Sequence, residues 1–101
     1  MAGTSKIEDV RRRIDQLDEE ILRLVNERIE RAKEVGVLKS VSGDKAVYRP
    51  EREAQILNRL IQINSGPLRP TQLQTIFREL ISIARAAESL PRVAVLGPAG
   101  T

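Results

Sequence analysis

Five charged residues stand where the surrounding pattern calls for apolar ones, and their types limit what chemistry this chain can do. Arg28 interrupts an apolar seam of Ile7, Val10, Ile14, Leu17, Ile21 and Leu24, which resumes at Val35 and Leu38. Lys39 follows eleven residues later, about three helical turns along and on nearly the same face. Arg52 and Glu53 lie one turn before the apolar pair Ile56 and Leu57, and Glu88 extends a stripe that reaches Ala84. A charge directed into an apolar interface is costly unless an opposite charge or a bound ion meets it. Three segments that each turn charge inward point to one polar pocket inside a helical core.

Each position also has a plainer explanation. Arg28 can pair with a glutamate across a helical seam and set its register. Lys39 near a helix C-terminus complements the helix dipole and can snorkel to water. Glu53 in a first turn is favoured by the same dipole, whereas Glu88 near a C-terminus is opposed by it. Convergence of the five favours the pocket. Guanidinium, ammonium and carboxyl groups suit a small polyanionic ligand, because the arginine fork matches a carboxylate. A reaction that needs no base, nucleophile or metal fits them: a unimolecular rearrangement, in which the protein holds the reactive conformer and stabilises developing charge.

Composition supports that restriction. The 101 residues contain no His and no Cys, so the commonest base and metal ligand is missing, as are thiolates and disulfides. No cofactor or metal is expected. With 17 basic and 14 acidic residues the net charge is only +3 and the signs are interspersed, unlike the basic stripe of a nucleic-acid reader. No apolar run can span a membrane and no secretory signal opens the chain, so a cytoplasmic protein is expected.

The positioning elements follow from periodicity and punctuation. Ser5 to Glu8 has the form of a capping box, and the apolar stripe then runs without proline to about Lys39, a helix of roughly 50 Å. Such a rod outruns what two ordinary helices can cover, so its far half is expected to bury against a second chain. Gly36 within it costs about 1 kcal/mol relative to Ala, which points to close approach of a neighbour or ligand, or else to a bend. Ser40–Val47 reads as a loop. Pro50 opens a second helix that Ser65-Gly66-Pro67 ends, and Pro70 opens a third that reaches about Leu90 before Pro91. Val93-Ala94-Val95-Leu96 then reads as a buried strand followed by a glycine-containing turn. A lone strand is no domain, so residues 91–101 are expected to be a linker and the truncated first strand of a second domain. The fold class is all-α: three helices, the first very long.

The ordered charges have a likeness. Val10-Arg11-Arg12-Arg13-Ile14-Asp15-Gln16-Leu17-Asp18, Glu27-Arg28, Val35-Gly36, Lys39, Tyr48-Arg49-Pro50-Glu51-Arg52-Glu53, and Phe77-Arg78-Glu79-Leu80-Ile81-Ser82 through Glu88 resemble the all-helical chorismate mutases. The likeness covers nearly all of Ser5 to Leu90. The tail from Val93 is similar to the opening strand and turn of prephenate dehydratases. Together they resemble the N-terminal part of the bifunctional chorismate mutase–prephenate dehydratases of phenylalanine biosynthesis, with residues 5–90 as the mutase domain. Dehydratase activity is not expected from so small a part of that second domain.

The resemblance implies an intertwined helical homodimer with two equivalent sites that convert chorismate to prephenate by a 3,3-sigmatropic rearrangement. Carried over by position, Arg28 and Arg11 of the partner subunit hold the two substrate carboxylates. Lys39 donates to the ether oxygen as its bond breaks, Glu88 donates to the same oxygen, and Glu53 accepts from the ring hydroxyl. Arg49 and Arg52 flank this group as further substrate-binding residues. On a straight helix Arg11 lies about 100° from the Arg28 face and ~25 Å along the axis, so it is suited to a partner's site and not to its own. A carboxyl donates only when protonated, and burial is expected to favour that form of Glu88. Ala84 stands where some relatives carry a serine, which removes one hydrogen bond to a carboxylate. Alternatives are an isochorismate-pyruvate lyase, which shares the fold; a non-catalytic helical dimerisation module; and, more distantly, a nucleic-acid-binding coiled coil.

Overall fold

The computed structural model describes the backbone of residues 2–43 and 50–100, and side chains over 6–43 and 50–89. Three helices account for it: α1 (Ala2–Ser42), α2 (Pro50–Ile63) and α3 (Pro70–Gly100). Both α1 and α2 pack against α3. The all-α expectation holds, with α1 by far the longest at 41 residues.

Helix ends follow local chemistry. Gly43 adopts φ +85°, and its N–H donates to the Ser40 carbonyl at 3.3 Å, which stops α1. At α2 the missing N–H of Pro50 is no loss, and Glu51 and Glu53 sit in the first turn, where the dipole favours them. In the turn to α3, the Gly66 N–H donates to Asn64 Oδ1 at 3.1 Å, and Asn64 Nδ2 donates to the Leu68 carbonyl at 2.8 Å. Gln72 reaches back to accept from the Arg69 N–H at 3.0 Å, half of a capping box at the start of α3.

Three boundaries differ from the sequence reading. α1 runs on to Ser42, past the expected end near Lys39, and residues 44–47 of the expected loop lie outside the described residues. α1 begins at Ala2, so Ser5 and Glu8 lie inside the helix and not at its first turn's start. α3 runs past Pro91 to Gly100, and no strand occurs among the described residues. A strand needs a neighbour to pair its N–H and C=O groups, whereas a helix pairs them within its own segment. With no second strand nearby, the helical form satisfies the backbone of Val93–Leu96.

Where α1 meets α3 the core is made of small residues. Ala32 meets Ala84 and Ala87, with Ile29 packed against them, and Leu57, Leu73 and Ile81 are also buried. Small side chains let the backbones of α1 and α3 come close. Leu38 is 66% exposed, as Ile7 is at 55%, so neither end of the expected seam is covered within the chain. α3 packs on Ile29, Ala32 and Gly36. The N-terminal half of α1 is left uncovered: Ile7, Val10, Ile14, Ile21 and Leu24 are each at least half exposed.

Candidate active site

The charged side chains converge beside this small-residue seam. α1 carries Arg28, Ala32, Val35 and Lys39 at spacings of 4, 3 and 4, which stack along one stripe. α3 presents Ile81, Ala84, Arg85 and Glu88, again on one face, and α2 adds Arg52, Glu53 and Ile56 from its first two turns. Arg31 completes the lining of a cavity of about 350 Å³, a size suited to a small molecule. Five cationic and two acidic side chains share it, so its formal charge is strongly positive.

Pairing inside the cavity is uneven. Lys39 Nζ donates to Glu88 Oε1 at 3.2 Å, joining α1 to α3, with the two side chains 30% and 27% exposed. Arg85 Nη2 lies 3.4 Å from Glu53 Oε2, joining α3 to α2. Each acid of the cavity is thereby paired with one cation. Arg28 has no carboxylate: its Nη1 donates to the Leu80 carbonyl at a long 3.5 Å, and none of the described acids pairs with it. The reading of Arg28 as half of a seam salt bridge within the chain is therefore not realised. Arg31 is turned to Glu34 on its own helix at 2.8 Å.

Of the site residues expected from sequence, Arg28, Lys39, Arg52, Glu53 and Glu88 come together here. Arg11 does not; it is exposed, more than four turns from Arg28 along α1. Arg49 lies outside the described residues. Ala84 forms an apolar, buried part of the wall, where a hydroxyl would have faced the cavity. Glu88 is less enclosed than expected, and because it accepts from Lys39, donation by Glu88 requires that pair to open. Arg31 and Arg85 escaped the sequence reading. Both lie three residues from a recognised member, Arg28 and Glu88, and that spacing was the available signal. Among the described residues no group of acidic side chains is arranged to hold a metal ion.

This arrangement can bind a compact dianion and place paired donors against one edge of it, without a nucleophile. Comparison with known proteins leads to the same chemistry. Residues 10–89 match the family model described as chorismate mutase type II. The bifunctional chorismate mutase/prephenate dehydratase of Stutzerimonas stutzeri is 44% identical over 105 aligned residues, covering 100% of this chain and 29% of that protein. The protein of the same name from Neisseria gonorrhoeae is 47% identical over 91 residues, covering 90% of this chain and 24% of its own length. The chain thus spans less than a third of these curated relatives. A solved chorismate mutase structure, form II from Thermus thermophilus, superposes with a TM-score of 0.76 at 31% identity, covering 82% of this chain and 93% of that one. A family match across all three helices, with the cavity at their junction, leaves one assignment: the chain belongs to the type II chorismate mutase family.

Proposed function

We propose that this chain rearranges chorismate to prephenate in aromatic amino-acid biosynthesis, as a homodimer with two shared sites. One observation carries the reading. The cavity is strongly cationic, yet both of its acids are engaged with Lys39 and Arg85, so Arg28 and Arg52 are left without a carboxylate among the described residues and open to an anion from outside the chain. The reaction needs no external reagent: one ether C–O bond breaks, one C–C bond forms, and no proton or electron is consumed.

In this reading Arg28 grips one substrate carboxylate and Arg11 of the partner subunit grips the other. Lys39 turns from Glu88 to the ether oxygen, where negative charge grows as the C–O bond lengthens. Protonated Glu88 donates to the same oxygen, and Glu53, steadied by Arg85, accepts from the ring hydroxyl. Arg52, and Arg49 beside it in sequence, add positive potential that attracts the dianion. Donors placed against developing charge are typically worth about 2.7–4 kcal/mol each in the transition state. The dimer is supported by the uncovered stripe from Ile7 to Leu24 and by the distance of Arg11 from its own cavity. Residues 5–90 carry this activity. Residues 91–101 are a linker toward a dehydratase domain of the kind named in the relatives, with Val93–Leu96 extended only where a neighbouring strand can pair with it. A cytoplasmic setting goes with a biosynthetic role; no described helix is long and apolar enough to cross a membrane.

The test follows loss of chorismate absorbance with purified protein. Wild type is expected to turn substrate over, and Lys39→Ala to lose about 10²–10³-fold in kcat. A folded dimeric wild type without rearrangement would sink the proposal.

A further inference from the structure

Gly36 lies inside α1, buried, between one and two turns before the last residue of the helix, Ser42. A Cβ at this position would collide with the carbonyl oxygen of Glu88 and would lie 2.8 Å from its carbonyl carbon and 3.0 Å from its Cα. Every atom it meets is α3 backbone, which cannot turn aside as a side chain does. One turn further along α1, Lys39 holds the Glu88 carboxylate at 3.2 Å. The backbone and the side chain of Glu88 are therefore fixed by two α1 residues three positions apart. Ala32, four residues before Gly36, continues the same close approach against Ala84 and Ala87.

We infer that Gly36 is a positioning residue for the rearrangement: by having no side chain it sets how deeply Glu88 enters the cavity, and so where its carboxyl sits relative to Lys39. This rests on the reading of Lys39 and Glu88 as donors to one ether oxygen. Two donors serve one oxygen only if their separation is held to a fraction of an ångström. A Cβ at Gly36 needs ordinary contact distances, which push the Glu88 carbonyl carbon back by about half an ångström or more. A misplacement on the order of 1 Å can lower a rate about 10²-fold. Arg28 lies two turns away on α1, so the carboxylate grip is left in place.

Gly36→Ala is expected to lower kcat about 10–100-fold and change KM less than about threefold, with helicity and dimer size unaltered. The deciding measurement repeats the substitution in a Glu88→Ala background. If Gly36 acts through Glu88, the second change adds little further loss in kcat; a merely structural role gives the same fold-loss in both backgrounds and overturns the inference. So does a Gly36→Ala protein with undiminished kcat and a Tm raised by a few degrees, the usual result where a helical glycine has room. Should Gly36→Ala not fold, Glu88→Asp withdraws the carboxyl by one methylene with Gly36 intact; the matching drop in kcat is expected, and an unchanged kcat overturns the inference. Absence of rearrangement in the wild type would instead strike the underlying functional proposal, so the two failures are distinct.

Discussion

Arg28→Lys separates charge from shape at the centre of the proposed site. The substitution keeps one positive charge and loses the planar fork that grips both oxygens of a carboxylate. Within the chain Arg28 makes only the long 3.5 Å bond to the Leu80 carbonyl, and no described carboxylate depends on it. Its contribution to folding is therefore small, well under about 1 kcal/mol for one stretched bond. Its contribution to binding is larger. A hydrogen bond to a charged partner is worth about 1.5–3 kcal/mol, and the ammonium can replace one of the two at best. That corresponds to a loss of roughly 10–150-fold in kcat/KM. Because the carboxylates are charged in ground and transition states alike, most of the loss should fall on KM. Steady-state kinetics by chorismate absorbance, with Tm as control, measures both quantities. A KM within twofold of wild type would refute the assignment of Arg28 to a substrate carboxylate. A fall in Tm large enough to account for the lost activity would show instead that Arg28 is a structural residue.

Three further outcomes follow from the same geometry. Glu88→Gln, an amide that keeps an N–H donor at the same length, should retain most of kcat, whereas Glu88→Ala should lose about 10²–10³-fold; equal kcat values for the two variants would remove Glu88 as a donor. Ile14→Asp on the uncovered stripe should dissociate the dimer and abolish turnover, because it places an unpaired charge in the subunit interface; in a chain that works alone, a half-exposed residue would tolerate the change within about 0.5 kcal/mol, and unchanged size-exclusion behaviour would count against the shared site. Mixing inactive Arg11→Ala and Arg28→Ala subunits should restore activity approaching about a quarter of wild type, since half of randomly reassorted dimers are mixed and each mixed dimer holds one intact site; no recovery after subunit exchange would rule out contribution of Arg11 across the interface.

What could be read from sequence depended on contrast with the background. Arg28, Lys39 and Glu88 were legible because each interrupts or extends an apolar stripe, where a charge is conspicuous. Arg31 and Arg85 line the same cavity but sit on mixed faces, where a charge ordinarily meets solvent, so their three-residue spacing from Arg28 and Glu88 does not stand out until the 3.4 Å approach of Arg85 to Glu53 is seen. The three helices were legible from prolines, glycines and stripes, yet the packing of α1 on α3 through Ile29 and Ala32 was not, because these residues lie beside the heptad seam and an alanine does not mark a face. Val93–Leu96 read as a strand because its composition favours one, but strand formation is a property of a pair. Composition alone does not supply the second member.

The uneven pairing in the cavity also bears on why its own acids leave Arg28 to the substrate. If Glu53 or Glu88 closed on Arg28, the guanidinium would be neutralised and a dicarboxylate would have to displace a protein ligand to bind. Arg85 and Lys39 prevent this by engaging those acids first, each from a different helix junction. The two ion pairs are partly exposed and contribute little to stability. Their value lies in partition: Arg85 keeps Glu53 on the α2–α3 side, Lys39 keeps Glu88 on the α1–α3 side, and Gly36 fixes how far in Glu88 stands. What remains without a described carboxylate between them is the Arg28 fork, with Arg52 beside it on α2. A site that must bind two carboxylates and stabilise one growing oxygen charge needs this division between a cation held for the ground state and a cation released for the transition state.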